Sequence, residues 1–209
     1  MRDRWVSVRV RGEYALFTRP ENKVERVSYR VMTPSAARGI LEAIYWHPQF
    51  KWAIREIHVL NPVKTFNILR NEVNSKMSPS TKEPYFSDED RAQRNSICLR
   101  DVDYVIFADA NVKEGFDDDH AKHRDQFRRR VEKGQCFHRP SLGCREFAAD
   151  FGPAAGSPEP VNWSEDLGLT LWDVKYSDVK GEPFWPQFFN AQVESGVLRI
   201  PEHPIGVGN

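Results

Sequence analysis

One segment of this chain repeats apolar residues with the period of a helix, a second and highly charged segment carries the start and stop signals of another, and runs with the period of a strand stand around them. That interleaving constrains the fold more than any other feature. The first helical segment opens on Thr33-Pro34, a capping residue followed by the residue best tolerated in a first turn. It carries Ala37, Ile40, Leu41 and Ile44 at helical spacing and ends near Trp46, ahead of Pro48. The second runs from Asp117 to Lys133, with three aspartates at its start, where the helix dipole favours negative charge, and Gly134 near its end.

Around these helices, Trp5-Val6-Ser7-Val8-Arg9-Val10 alternates apolar and polar residues as a half-buried strand does, and a charged loop is expected from about Gly12 to Arg30. Trp52 to Leu60 and Val63 to Val73 read as strands joined at Asn61-Pro62, which predicts a hairpin between them. Asn74 to Arg94 is polar, contains Pro79 and Pro84, and reads as a mobile excursion; Ile97 to Ala108 returns as a strand. Through Phe147 the order is strand, helix, strand, strand, helix, strand. The expected class is therefore α+β, with a ferredoxin-like domain over residues 1–149. Asp150 to Pro160 is rich in Pro, Gly and Ala and reads as a linker. Leu169 to Tyr176, Trp185 to Val193 and Val197 to Ile200 then predict a small C-terminal antiparallel sheet within residues 160–209.

At 209 residues the chain is long enough for one substantial core, and 40% hydrophobic content is too apolar for a disordered one. Net charge is zero, but it is unevenly spread. Residues 1–100 hold 18 Lys and Arg against 11 Asp and Glu, whereas residues 101–209 hold 12 against 19. Within the acidic half, residues 120–146 hold 8 basic and 3 acidic side chains, so a local positive face is expected. Three cysteines, Cys98, Cys136 and Cys144, form no even framework and point to a reducing compartment. With no apolar signal core and no run of 18 apolar residues, the expected location is the cytoplasm, with no membrane span.

The second helix and the loop after it concentrate the chemistry. His120 and His123 lie three apart and are expected to share a face, with Lys122 and Arg124 close by. One reading is a divalent-metal site with Asp117 or Asp119. Another is metal-free RNA cleavage, in which a ribose 2′-OH attacks its own 3′ phosphate, His123 serves as base or acid, and Lys122 neutralises the developing charge. A solvated polar helix face is the plain alternative. Arg128-Arg129-Arg130 and Lys133 precede Gly134 and the run Phe137-His138-Arg139-Pro140-Ser141-Leu142-Gly143, whose glycines let backbone amides approach a phosphate. Cys136, His138 and Cys144 lack a fourth zinc partner at a suitable spacing, and the cysteines read as small hydrophobes. Tyr45, beside Trp46 and His47, becomes a candidate if the fold brings its helix end near His123.

Three separated segments, Arg11-Gly12-Glu13-Tyr14-Ala15-Leu16-Phe17-Thr18-Arg19-Pro20, Tyr29-Arg30-Val31-Met32-Thr33-Pro34-Ser35-Ala36-Ala37-Arg38-Gly39 and Gly134 through Phe147, together resemble one family. It is the CRISPR-associated protein family five in its subtype I-C form (the d-type), of the RAMP superfamily, and the resemblance spans essentially the whole chain. The resemblance implies an RRM-like, ferredoxin-like domain with a glycine-rich loop after its second helix, and a C-terminal β region. It implies an endoribonuclease, without metal or other cofactor, that cuts precursor CRISPR RNA at the base of the repeat hairpin. The enzyme then stays on the 5′ handle with the other subunits of the type I-C surveillance complex (Cascade). The family's catalytic Tyr falls on Tyr45 and its Lys-His pair on Lys122 and His123. Arg128, Arg129, Arg130, Lys133, Gly134, His138, Arg139 and Gly143 are the expected RNA contacts, with Arg19, Lys23, Arg26 and Arg30 on the basic N-terminal half. The rival readings are a catalytically silent handle-binding subunit and a metal-dependent DNA nuclease.

Overall fold

The computed structural model describes residues 4–22, 24–75, 78, 80, 86, 88, 90–113, 115–116, 120–175 and 185–206. Strand β1 (Val6–Ala15) buries Val6, Val8 and Val10 and turns Ser7 and Arg9 the other way, as its alternation predicts. Thr33 caps helix α1 (Pro34–Ile44): its hydroxyl accepts from the Ala36 amide at 3.3 Å, and Pro34 fills the first turn, where no N–H is needed. Ala37, Ile40, Leu41 and Ile44 are buried, each large side chain contributing about 1.5–3 kcal/mol of apolar burial. Helix α2 is described over His120–Glu132. It buries His123, Phe127 and Val131, a narrow stripe of period four. Asp117 and Asp119 lie outside the described residues.

Strand β3 (Phe50–Val59), strand β5 (Arg91–Val112) and the short strand β6 (Asp150–Gly152) join β1 in the order β6-β1-β5-β3, every pair antiparallel. Helix α2 packs on β1, β5 and β6, while α1 packs on β3. This is an α+β architecture of one largely antiparallel sheet and two helices.

Several expectations change. The segment Gly12–Arg30 is not all loop. Strand β1 itself continues to Ala15, past the outward charges of Arg11 and Glu13, and β2 (Arg26–Val27) pairs with β5 in parallel. The two strands flanking Asn61-Pro62 do not form a hairpin with each other. Strand β4 (Lys64–Val73) pairs with the first half of β5, from Lys64↔Arg100 to Val73↔Arg91, whereas β3 pairs with the second half. Arg91–Arg94, expected in a mobile excursion, therefore belong to β5. The Asn74 amide donates to the Asp90 carbonyl at 3.0 Å and the Ser75 amide to the Asp90 carboxylate at 2.7 Å, drawing the two arms together. Between the two halves of β5, Asp101 takes a left-handed backbone (φ 53°), one that Asp tolerates better than most residues. Strand β6 occupies the start of the expected linker.

The C-terminal strands β7 (Glu165–Lys175), β8 (Trp185–Glu194) and β9 (Val197–Arg199) continue the main sheet instead of forming one apart, because β9 pairs with β3 through Glu56↔Arg199 to His58↔Val197. The sheet curls so that β7 also packs on α1. Asp173 of β7 is buried between the Arg38 guanidinium of α1 at 2.6 Å and the Lys51 ammonium of β3 at 3.2 Å, which ties three elements together. Among the described residues no helix is long and apolar enough to cross a membrane.

Candidate active site and RNA-binding loop

Tyr45 ends α1 in an extended conformation while its amide still donates to the Leu41 carbonyl at 2.8 Å, so the ring leaves the helix in a fixed direction. The Trp52 indole N–H donates to the Tyr45 carbonyl at 2.9 Å. Arg130 donates to the Ile44 carbonyl at 2.7 Å, a cation where the helix dipole is negative, and its guanidinium lies 5.2 Å from the centre of the Tyr45 ring. These contacts aim the phenol at α2.

His123 receives it. The imidazole is 1% exposed, packed among Phe50 at 4.7 Å, His47 at 5.1 Å and Tyr45 at 5.9 Å between ring centres. The Tyr45 hydroxyl and His123 Nδ1 are 2.8 Å apart. His123 thus occupies the buried stripe of α2, whereas His120, three residues earlier, does not share its burial. His120 is exposed, with Nδ1 2.8 Å from the Ala110 carbonyl oxygen. Lys122, one residue before His123, is exposed. A phenol bonded to a buried imidazole can pass a proton from a substrate to the ring.

The glycine loop docks beside this pair. At the end of α2, Gly134 adopts φ 61° and the Gln135 amide reaches back to the Arg130 carbonyl at 2.8 Å, the pattern of a helix closed by a left-handed residue. The Phe137 and His138 amides both donate to the Ala43 carbonyl, at 2.8 and 3.3 Å, placing the loop two residues before Tyr45. Leu142 is buried, and Gly143 (φ 90°) lies so close to β1's exit that a Cβ there would stand 2.0 Å from the Leu16 carbonyl oxygen. Lys133, Gly134, Phe137, His138, Arg139 and Gly143 are exposed. A cleft of about 420 Å³ separates the loop from α1, lined among others by Arg38, Gly39, His138, Ser141 and Gly143.

The basic candidates do not form one row. Arg128 donates to the Trp5 carbonyl and to Asp125, each at 3.2 Å, while Arg130 turns to Tyr45. Arg129 and Lys133 are exposed, and the Arg139 side chain is 74% exposed, 4.0 Å from Asp150. On the N-terminal half, Arg19 stacks on Tyr29 at 4.8 Å, Arg26 pairs with Glu72 at 3.3 Å, and Arg30 pairs with Glu165 while stacking on Trp163 at 5.4 Å. Lys23 lies outside the described residues.

Among the described residues no three His, Cys, Asp or Glu side chains gather as metal ligands. Cys136 is exposed and Cys144 half-buried, its thiol pushed up by burial and by the charge of Glu146.

The sequence pattern of the CRISPR-associated protein family Cas5, in its Cas5d form, matches residues 5–203 of this chain. The chain belongs to the Cas5d family. The CRISPR pre-crRNA endoribonuclease Cas5d of Thermus thermophilus is 42% identical over 94% of this chain and 91% of its own length. The enzyme of the same name from Mannheimia succiniciproducens is 41% identical over 94% of both chains. A crystal structure of a CRISPR-associated protein superposes with a TM-score of 0.70 at 25% identity, covering 96% of this chain and 93% of the other.

Two features of this Cas5d-family site are not visible in residue spacing. Arg130, expected on an RNA-facing row, braces the end of α1 instead, a role set by packing that spacing does not encode. His47, which the sequence marks only as Tyr45's neighbour, joins Tyr45, Phe50 and His123 as a fourth ring of the cluster. Its place directly before Pro48, at a helix end that carries a candidate, is the available signal.

Proposed function

We propose that this chain is an endoribonuclease that cuts precursor CRISPR RNA at the base of the repeat hairpin, without a metal ion. It then stays on the 5′ handle with the other subunits of the type I-C surveillance complex. The observation that carries the reading is the 2.8 Å contact between the Tyr45 hydroxyl and His123 Nδ1, formed between residues far apart in sequence. Family membership and the two pre-crRNA endoribonuclease relatives support the substrate.

In this mechanism the 2′ oxygen attacks the adjacent phosphorus while its proton passes to the Tyr45 oxygen and the phenol proton passes to His123 Nδ1. The hydroxyl is the half of the pair that meets RNA, because the imidazole is sealed from solvent. The exposed Lys122 supplies positive charge to the phosphorane-like transition state. The glycine loop, with Lys133, His138, Arg139 and Gly143, holds the RNA backbone against the end of α1. The products are a 2′,3′-cyclic phosphate and a 5′-OH.

The element order β1-α1-β3-β5-α2-β6 and strand order β6-β1-β5-β3 support a ferredoxin-like unit over residues 1–149 closed by β6, with a C-terminal β region over 160–209. The expected location is the cytoplasm. The deciding experiment incubates the protein with its cognate repeat RNA in EDTA, with and without a single 2′-deoxy substitution at the scissile nucleotide. Cutting of the ribose substrate alone, with cyclic-phosphate ends, is expected. Undiminished cutting of the deoxy substrate, or loss of all cutting in EDTA, overturns the mechanism.

A further inference from the structure

Cleavage through a 2′ oxygen needs two proton transfers, one from the nucleophile and one to the departing 5′ oxygen, and the Tyr45–His123 pair is a single relay. We infer that His47 is the proton donor to the 5′ oxygen. The inference rests on the ribonuclease reading above and adds a catalytic residue to it.

His47 lies two residues past Tyr45 in the turn before Pro48, with its ring centre 5.1 Å from that of His123 and the planes inclined by 39°. Unlike His123, His47 is only half-buried, so it is not sealed off from a bound RNA. Its Nδ1 is nevertheless shielded from water and has no hydrogen-bond partner among the described residues. A buried polar atom left unpaired is unfavourable in a native structure, and a catalytic role is one of the reasons such a group is kept.

The other proton-bearing groups nearby fit the role less well. His123 is committed to Tyr45, His120 is tied to the Ala110 carbonyl, and His138 packs edge-on against Phe137 in the cleft between the glycine loop and α1, outside the ring cluster of Tyr45 and His123. Lys122 is already assigned to the charge of the transition state, and an imidazole as a class is the side chain that exchanges protons near neutral pH.

The step balances. The bond between the 2′ oxygen and phosphorus forms and the bond between phosphorus and the 5′ oxygen breaks. The 2′ proton enters the Tyr45–His123 relay, leaving His123 as imidazolium, and the His47 imidazolium delivers its proton to the 5′ oxygen and becomes neutral. Proton exchange with water restores both rings.

The test uses repeat RNA in which sulfur replaces the bridging 5′ oxygen at the scissile phosphate. A thiolate departs without protonation, so this substrate needs no acid. Under single turnover, His47→Ala and His47→Asn are expected to cut ordinary RNA about 10²–10⁴-fold more slowly than the wild type and the sulfur-bridged RNA within about threefold of it. Tyr45→Phe is expected to stay slow on both substrates. Wild-type rates for the His47 variants on ordinary RNA overturn the inference, as does equal slowing on both RNAs, which assigns His47 a purely structural role. Melting temperature and RNA affinity of His47→Asn establish that the variant is folded and bound. Failure of the wild type to cut either RNA strikes the ribonuclease reading itself, which separates the two failures.

Discussion

The Tyr45 hydroxyl and His123 Nδ1 meet at 2.8 Å across 78 positions of sequence, one at the C-terminal end of α1 and the other on the buried stripe of α2. The pair exists only because both helices lie on one face of the sheet, so its geometry is held by the hydrophobic core. Arg130, bonded to the Ile44 carbonyl and stacked on Tyr45, fixes the distance from the side of α2.

Tyr45→Phe removes the hydroxyl and leaves the ring, so the packing against Phe50 survives. The cleavage rate is expected to fall about 10²–10⁴-fold with RNA affinity nearly unchanged. The variant also deprives His123 Nδ1 of its phenol partner, at a stability cost of about 1–3 kcal/mol. Chemical denaturation beside a single-turnover assay separates the two effects.

Lys122 and His123 are adjacent in sequence but opposite in burial, and their alanine variants should part accordingly. His123→Ala empties a site within an aromatic cluster and is expected to destabilise the protein by about 2–4 kcal/mol while abolishing efficient cutting. Lys122→Ala removes an exposed side chain, should change stability by no more than about 0.5 kcal/mol, and slows cutting all the same. Equal loss of stability in both variants would show that Lys122 is part of the packing.

The sequence makes α1 legible because Thr33-Pro34 announces its start and Pro48 its end, and both signals are local. It makes β5 only half legible. From Val102 to Ala110 every second residue enters the core, but Arg91 to Asn95 forms a ribbon with β4 that is mostly exposed and carries no apolar period. The same non-local pairing replaces the expected hairpin at Asn61-Pro62, since a short connection shows where a strand ends and says nothing about which strand it meets. His123 is legible as chemistry but not as core: counting His as polar hides the stripe it shares with Phe127 and Val131.

Two glycines near the loop cleft should respond in opposite directions to alanine. At Gly143 a Cβ would stand 2.0 Å from the Leu16 carbonyl oxygen on a left-handed backbone, so the loop must lift from β1. Gly143→Ala is expected to cost at least about 1–3 kcal/mol and to weaken RNA binding through the displaced loop. At Gly39, within α1, nothing lies within 4 Å of the added carbon, and Gly39→Ala should stabilise the helix by about 0.5–1 kcal/mol. Thermal melts of the two variants measure the contrast.

The split among the basic residues has a consequence for salt dependence. Arg129, Lys133 and Arg139 are exposed around the end of α2 and the glycine loop, whereas Arg128 holds the Trp5 carbonyl and Arg130 the Ile44 carbonyl. Among the described residues the first group donates to no backbone carbonyl, whereas Arg130 and, despite a side chain 44% exposed, Arg128 each do. Replacing any two of Arg129, Lys133 and Arg139 by alanine should flatten the log–log dependence of RNA affinity on salt by roughly 0.7 for each single-strand phosphate that the protein no longer neutralises, and leave the melting temperature nearly unchanged. Arg130→Ala should do the reverse, lowering the melting temperature and the cleavage rate through Tyr45 while barely altering the slope. An unchanged slope in the first set would move the RNA path to the basic N-terminal half, where Arg19, Arg26 and Arg30 are already engaged with Tyr29, Glu72 and Glu165 and would have to exchange those partners for phosphates.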